Sequence, residues 1–337
     1  MTGNRQPSKT KYYFHLGVNQ RVRFEHLGNP NNLTDCILNL EKAALLTNIQ
    51  HPDKAIYHCH LARCQLTRFQ RLSALTDIKD AVSNLKISVQ VTGDAHPSKP
   101  EYLSTLGLNQ RVLYEHLGAL SDIDDSISNL RRSVQLTYDE HPGKGLYLSY
   151  LGLSERSRFI RLGEVIDLEH CILNLQNAVQ YTRDGEPDKH VFLSMLGSSQ
   201  MMHFQRIGER ADLDDSISNW EKSVYIINDI HPHKATYLSN LSLNQQIRFQ
   251  LFGRLTDLDD SISNLQKVVH LTDDGHPHRA IYLLNLGSAY GSRFERLGGL
   301  PDLENCVSTV GKAVQFTADG HPGKLMHFSI LGSCQLM

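Results

Sequence analysis

Three sets of side chains recur along this chain of 337 residues with types that could do chemistry. A histidine precedes a proline at His51, His96, His141, His231, His276 and His321, with Glu186 replacing it once. Imidazoles in register would suit metal ligation or proton sensing. Arginines recur at Arg23, Arg68, Arg158, Arg248 and Arg293, and again at Arg71, Arg161, Arg206 and Arg296. Such a stripe of guanidinium groups would suit phosphate or RNA. Side-chain amides recur at Asn39, Asn84, Asn129, Asn174, Asn219 and Asn264. A second amide line runs through Gln20, Gln65, Gln110, Gln200 and Gln245, beside Asn19, Asn109 and Asn244.

The elements that carry these residues explain the spacing. Eight of the eleven prolines stand in one register, from Pro7, Pro52 and Pro97 through Pro142, Pro187, Pro232 and Pro277 to Pro322, one every 45 residues. A fixed period of this order marks a stacked repeat, in which each unit buries its apolar stripe only against its neighbours. Within the third unit, Tyr102, Leu103, Leu106, Val112 or Leu113, Tyr114 and Leu117 fall at helical spacing, and Pro97 suits a first helical turn. Gly118 then stops helix A, as Gly28, Gly163, Gly208, Gly253 and Gly298 do in their units. The column Asp77, Asp122, Asp167, Asp212, Asp257 and Asp302 reads as the N-cap of a second helix, B. Its stripe in this unit is Ile123, Ile127, Leu130 and Val134, and Thr137 ends it. The units are residues 8–52, 53–97, 98–142, 143–187, 188–232, 233–277 and 278–322, with a half unit over 323–337, in one array over 1–337.

This frame changes the chemistry. Equivalent residues of stacked helices lie about 8–10 Å apart, too far for one histidine per unit to share an ion that needs ligands at about 2.0–2.1 Å. The His-Pro column is therefore read as a turn whose imidazole bonds to a helix end. The arginines suit the negative end of helix A and the facing Asp column; against RNA, 36 acidic residues balance 34 basic ones. The Asn column is read as an amide ladder between units. Cys36, Cys171 and Cys306 share a column with Ala81, Ser126, Ser216 and Ser261, a small buried position and not a disulfide framework. A reduced, cytoplasmic setting is expected. No apolar run approaches the roughly 18 residues of a membrane span, and no secretory leader is read at the N-terminus. The chain lacks G-x-x-x-x-G-K-[ST], H-E-x-x-H, C-x-x-C and a nucleophile elbow. No catalysis, metal or cofactor is expected.

Leu103-x-x-Leu106-Gly107, Ser126-x-x-x-Leu130 and Pro142 resemble the tetratricopeptide (TPR) pattern, with Trp220 in the large position after Ser216. The resemblance spans the whole chain, but the unit is 45 residues long, against a usual 34. The phrase R-F-x-R-L-G-x-x-x-D-L-x-x-x-I-x-N-L is similar, more narrowly, to long TPR-like arrays of basidiomycete fungi that often precede a caspase-like CHAT peptidase domain. The resemblance implies an all-α fold, an α-solenoid of about 15 helices in antiparallel pairs wound as a right-handed superhelix. It implies a non-enzymatic scaffold that binds a protein or peptide on a concave face lined by the middle of helix A. The residues placed there are Gln20, Arg21, Gln65, Asn109, Gln110, Arg111, Arg156, Gln200, Asn244 and Gln245. The column of Arg21, Leu66, Arg111, Arg156, Met201, Gln246 and Gly291 varies freely, as a ligand surface would. The family's carboxylate clamp is not matched: Phe14, Cys59, Ser104 and Val18, Arg63, Leu108 occupy its positions. Alternatives are a sensor array of a CHAT peptidase and an RNA-binding helical repeat. The half unit, with Phe328, Leu331 and Leu336 lacking a helix B, leads to an expectation of a fragment or of self-association through that edge.

Overall fold

A computed structural model describes residues 6–317 together with Lys324 and Gly332. His321, Pro322 and the half unit apart from Lys324 and Gly332 lie outside the described residues. Fourteen helices, and no strand, are present among the described residues. The A helices are α1 (Gln6–Leu27), α3 (Lys54–Leu72), α5 (Lys99–Leu117), α7 (Lys144–Leu162), α9 (Lys189–Ile207), α11 (Lys234–Phe252) and α13 (Arg279–Leu297). The B helices are α2 (Pro30–Leu46), α4 (Leu75–Gln90), α6 (Leu120–Leu136), α8 (Val165–Tyr181), α10 (Arg210–Ile226), α12 (Leu255–Leu271) and α14 (Leu300–Phe316). They fall into two compact units, Met1–Thr182 with α1–α8 and Arg183–Met337 with α9–α14; these are the N-terminal and C-terminal halves below.

Each A helix packs on the B helix that follows it, and each B helix within a half also meets the next A helix. The core is the B-helix stripe: Ile78, Leu85, Ile123 and Leu130 in the N-terminal half, and Leu213, Leu258 and Leu265 in the C-terminal half, are fully buried. Cys36, Cys171 and Cys306 are fully buried too. Helix A ends on a left-handed residue, where glycine adopts positive φ without a Cβ clash. Gly118 has φ 73° and accepts this role by donating its N–H to Tyr114 O. In the second repeat Ser73 stands in that position at φ 54°.

Two sequence expectations about helix starts are corrected. The Asp column is not the N-cap: α6 begins at Leu120, its N-cap is Ala119, and Asp122 is the third helical residue. Among the described residues, α2 alone of the B helices has a side-chain cap, where Asn29 Oδ1 accepts from Asn31 N at 3.0 Å. From the second repeat on, the proline does not open helix A either, although Pro7 does lie in the first turn of α1. Pro97 precedes α5 by two residues, inside a turn closed by Lys99 N donating to His96 O at 2.9 Å. Proline suits the second position of such a turn because its φ is preset.

A column unread in the sequence ties the repeats together. The first residue of α3, α5, α7, α11 and α13 reaches back to the C-terminal carbonyls of the preceding helix B. Lys54 Nζ donates to Ala44 O and Thr47 O at 2.8 and 2.9 Å, and Lys99 Nζ to Val89 O and Thr92 O, both at 2.6 Å. Lys144 and Lys234 repeat the geometry, and Arg279 reaches Val269 O and Thr272 O. These carbonyls are the ones a helix leaves unpaired, at its negative end.

Candidate partner-binding face

The recurring polar residues are first accounted for one by one, since whatever packing employs is withdrawn from a partner. The His-Pro imidazoles cap the helix-A start: Nδ1 of His51, His96, His141, His231 and His276 accepts the backbone N–H two residues on, at 2.9–3.2 Å. The arginines grip the Asp at the third position of helix B. Arg158 donates Nε and Nη2 to Asp167 at 2.9 and 2.6 Å, Arg248 to Asp257 at 2.8 and 2.6 Å, and Arg293 to Asp302 at 2.9 and 2.6 Å. Arg68 grips Asp77, and His203 takes the same role toward Asp212. Arg158, Arg248 and Arg293 also bridge to Asp124, Asp214 and Asp259 of the preceding repeat. Hydrogen bonding to Asp167 raises the Arg158 guanidinium further above its ordinary value.

The amide lines meet each other within a repeat and not between repeats, which corrects the ladder expectation. Asn84 Nδ2 donates to Gln65 Oε1 at 2.9 Å, Asn129 to Gln110 at 2.8 Å, Asn219 to Gln200 at 2.8 Å and Asn264 to Gln245 at 3.2 Å. Gln65, Gln110, Gln200 and Gln245 are buried, and Gln20, half-buried, accepts from Asn39. Glu155 replaces the glutamine once and accepts from Asn174 at 2.8 Å and from Arg131 at 3.3 Å; burial raises its carboxyl.

Contacts between repeats come from the cysteine–serine column. Cys36 Sγ lies 2.7 Å from Cys64 Sγ, Ser126 Oγ 3.0 Å from Ser154 Oγ, and Ser216 Oγ donates to Asn244 Oδ1 at 2.9 Å. In the second repeat the position is Ala81, and the facing Asn109 Oδ1 is buried with no partner. Asn109 and Asn244 are thus both buried at this seam.

What remains is one stripe along the A helices. On α5 the residues that are not buried are Glu101, Thr105, Leu108, Arg111, Val112 and, beyond them, Glu115 to Leu117. The stripe recurs on every A helix, and successive A helices touch one another (α1 with α3, α5 with α7, α11 with α13). Successive B helices instead leave clefts. One of about 400 Å³ between α2 and α4 is lined by Glu41, Leu45, His58 and Asp80, and one of about 470 Å³ between α10 and α12 by Glu221, Tyr225 and Asp260, four repeats along. Within each half the A helices therefore form the closer-packed side.

Of the residues assigned to a partner, the structure places Arg21, Arg111 and Arg156 on this stripe and turns the five glutamines toward helix B. Arg21 donates to Glu25 at 2.5 Å and Arg111 to Glu115. Arg63, also on the stripe, pairs with Glu101 of the next A helix. Arg156 is half-buried and makes no ion pair among the described residues; burial lowers its guanidinium below the ordinary value.

Two clusters escaped the sequence reading. His58 stands where other repeats carry Leu103, Leu148, Leu193, Leu238 and Leu283, with Nδ1 2.7 Å from Asn84 Oδ1 and a buried, unpartnered Nε2; burial lowers its pKa. The comparison of units within the chain would have shown that departure. In the C-terminal half the His190, His231 and His233 rings gather, with centroids 4.7–6.5 Å apart, and His190 is held low by burial and then by the other two. Only the fold brings His190 to them. No group of three or more His, Cys, Asp or Glu side chains among the described residues is placed to hold a metal ion. No helix among them is long and apolar enough to cross a membrane.

No protein-family model matches the chain, and no curated protein sequence does. Solved structures do match. The C-terminal part of a TPR repeat-containing protein from Cytophaga hutchinsonii superposes with a TM-score of 0.56 at 11% identity, over 92% of this chain and 99% of that one. A putative kinesin light chain of Podospora anserina with nearly identical TPR-like repeats matches with a TM-score of 0.48 at 17% identity, over 66% of this chain and 96% of that one. A thermophilic TPR protein of Thermus thermophilus matches with a TM-score of 0.41 at 16% identity, over 68% and 100%. The fold is an all-α array of TPR-like helix-pair repeats.

Proposed function

We propose that this chain is a non-enzymatic interaction scaffold that binds a polypeptide along the exposed stripe of its A helices. The observation that carries the reading is a division of labour within the repeat. The polar columns that recur are occupied by capping, ion pairing or contacts between helices. The A-helix stripe changes residue type from repeat to repeat and stays partly open to solvent, as at Arg111, Arg156 and Met202. Repeats that hold their packing columns and vary one exposed face present a binding surface of this kind. Arg156 supplies its anchor in the N-terminal half. A guanidinium offers a planar fork of donors suited to a carboxylate or to backbone carbonyls, and this one has no ion-pair partner among the described residues.

The test is selection of binding peptides from a displayed random library by the full chain, followed by affinity measurement on purified variants. Arg156→Gln weakens the selected peptide by about tenfold or more, as loss of a central charged anchor does. Lys86→Glu, on the exposed side of helix B, leaves it unchanged. Equal affinity of the Arg156→Gln protein for every selected peptide, with its helix content intact, would falsify the assignment of the stripe.

A further inference from the structure

The stripe differs in kind between the two halves. On α1, α3, α5 and α7 it carries charge, with Arg21, Arg63 and Arg111 each facing an acid and Arg156 alone. On α9, α11 and α13 the equivalent positions carry charge only in the last turn, at Arg206 of α9 and at Glu295 and Arg296 of α13, and none over the middle of the helices. Three of the chain's six methionines lie on α9, and Met195 and Met202, seven residues apart, are partly exposed along the stripe. Leu243 of α11 and Ile281 of α13 lie on the same stripe of their own helices and are exposed, 37% and 52% accessible. Methionine adapts its shape to varied apolar partners, which makes it a common residue of binding surfaces.

Two amides stand among these apolar groups. Asn240 on α11 and Asn285 on α13 are one period apart, partly buried, and make no side-chain hydrogen bond among the described residues. Every other recurring amide of this half has a partner: Asn219, Asn244 and Asn264 are all engaged. An amide offers both donor and acceptor, the complement of one peptide group. Neighbouring helices lie about 8–10 Å apart, and an extended chain advances about 3.3 Å per residue. The two amides thus match peptide groups about three residues apart on one extended strand.

We infer that the A-helix face of the C-terminal half, α9, α11 and α13, takes an uncharged, extended peptide segment, its backbone held by Asn240 and Asn285 and its apolar side chains seated on Met195, Met202, Leu243 and Ile281. The inference rests on the stripe being the binding face and adds the chemistry of the occupant. A charged segment is disfavoured because its ions would lose water against apolar groups without gaining a counter-charge.

The probe is a synthetic array of random 12-residue peptides incubated with the full chain, followed by titration of the strongest binders carrying a fluorophore. The expected binders include a set poor in Lys, Arg, Asp and Glu. Their affinity changes less than about threefold between roughly 0.05 and 0.5 M salt, since no ion pairs are there to be screened. Met202→Glu and Asn285→Leu each weaken this set by about tenfold or more, while Arg156→Gln leaves it unchanged. Circular dichroism checks that the charge at Met202 leaves the helix content unchanged, and Asn285→Leu, at a partly exposed position, carries the result independently. If all binders are charged, salt-sensitive and lost only with Arg156→Gln, the neutral segment is overturned while the stripe stands. If neither Arg156→Gln nor Met202→Glu affects any binder, both the inference and the reading beneath it fall.

Discussion

Replacing Lys99 by methionine isolates the contact that joins the second repeat to the third. Lys99 is 8% exposed, and its Nζ donates to Val89 O and Thr92 O at 2.6 Å each. Methionine keeps most of the stem and removes the donor, so the loss is electrostatic and not a cavity. A buried acceptor left without a partner costs ~1–3 kcal/mol, which for two carbonyls gives ~2–6 kcal/mol. The favourable field of the α4 C-terminus on a cation contributes a further ~0.3–1 kcal/mol that is also lost. Relief from burying an ammonium group, and water reaching the freed carbonyls, offset about half of this sum, leaving a destabilisation of about 1–3.5 kcal/mol. Repeat arrays distribute stability over nearest-neighbour interfaces, so the loss concentrates at α4–α5. The assay is urea unfolding followed by circular dichroism, with amide exchange read over α4 and α5. Lys99→Arg is the control: Arg279 makes the equivalent contact in the seventh repeat, so arginine holds stability within ~1 kcal/mol. A methionine variant within ~0.5 kcal/mol of native, or an arginine variant as unstable as the methionine one, would refute the reasoning, because ordinary surface substitutions fall in that range.

Ser73 occupies a left-handed position at φ 54° that glycine fills in the other repeats, so Ser73→Gly stabilises by ~0.5–1 kcal/mol, read as a raised midpoint in urea. Ala81→Ser places a hydroxyl opposite the unpartnered Asn109 Oδ1, as Ser216 does for Asn244; the gain is ~1 kcal/mol at the same midpoint. His60 is held down to about 4 by burial and by the charges of Arg63 and Arg21. Its folded value lies below its unfolded value, so the unfolded chain binds the extra proton. Stability of the N-terminal half is therefore full above about pH 6.5 and declines as the pH falls toward 4. Thermal midpoints measured across that window fall less steeply in His60→Gln, and equal slopes would contradict the assignment.

The helix pairs were legible because the period brings every structural decision back at the same interval. Apolar spacing, the glycine stop and the small cysteine–serine column each stood out against seven copies of themselves. Helix starts were less legible. Aspartate is common both as a cap and in the first turn, and only backbone geometry places Asp122 at the third residue with Ala119 as the cap. The lysine column, Lys54, Lys99, Lys144 and Lys234, was in full view, yet a lysine reads as a solvated charge until the carbonyls of the preceding helix are seen beside it. The proposed binding face was half legible. Variation among repeats pointed to Arg111 and Arg156, while Gln65, Gln110, Gln200 and Gln245 share that stretch of helix yet point to helix B. One residue along a helix turns a side chain by about 100°, so a neighbour in sequence can belong to the core.

The binding face itself is tested most directly by methyl NMR of the full chain labelled at methionine, with Met195, Met201 and Met202 assigned by Met→Leu variants and titrated with a peptide selected from the array. The account predicts saturable shifts of Met195 and Met202 with one affinity, both abolished by Asn285→Leu. Tight binding of an uncharged peptide that leaves both signals in place would contradict it.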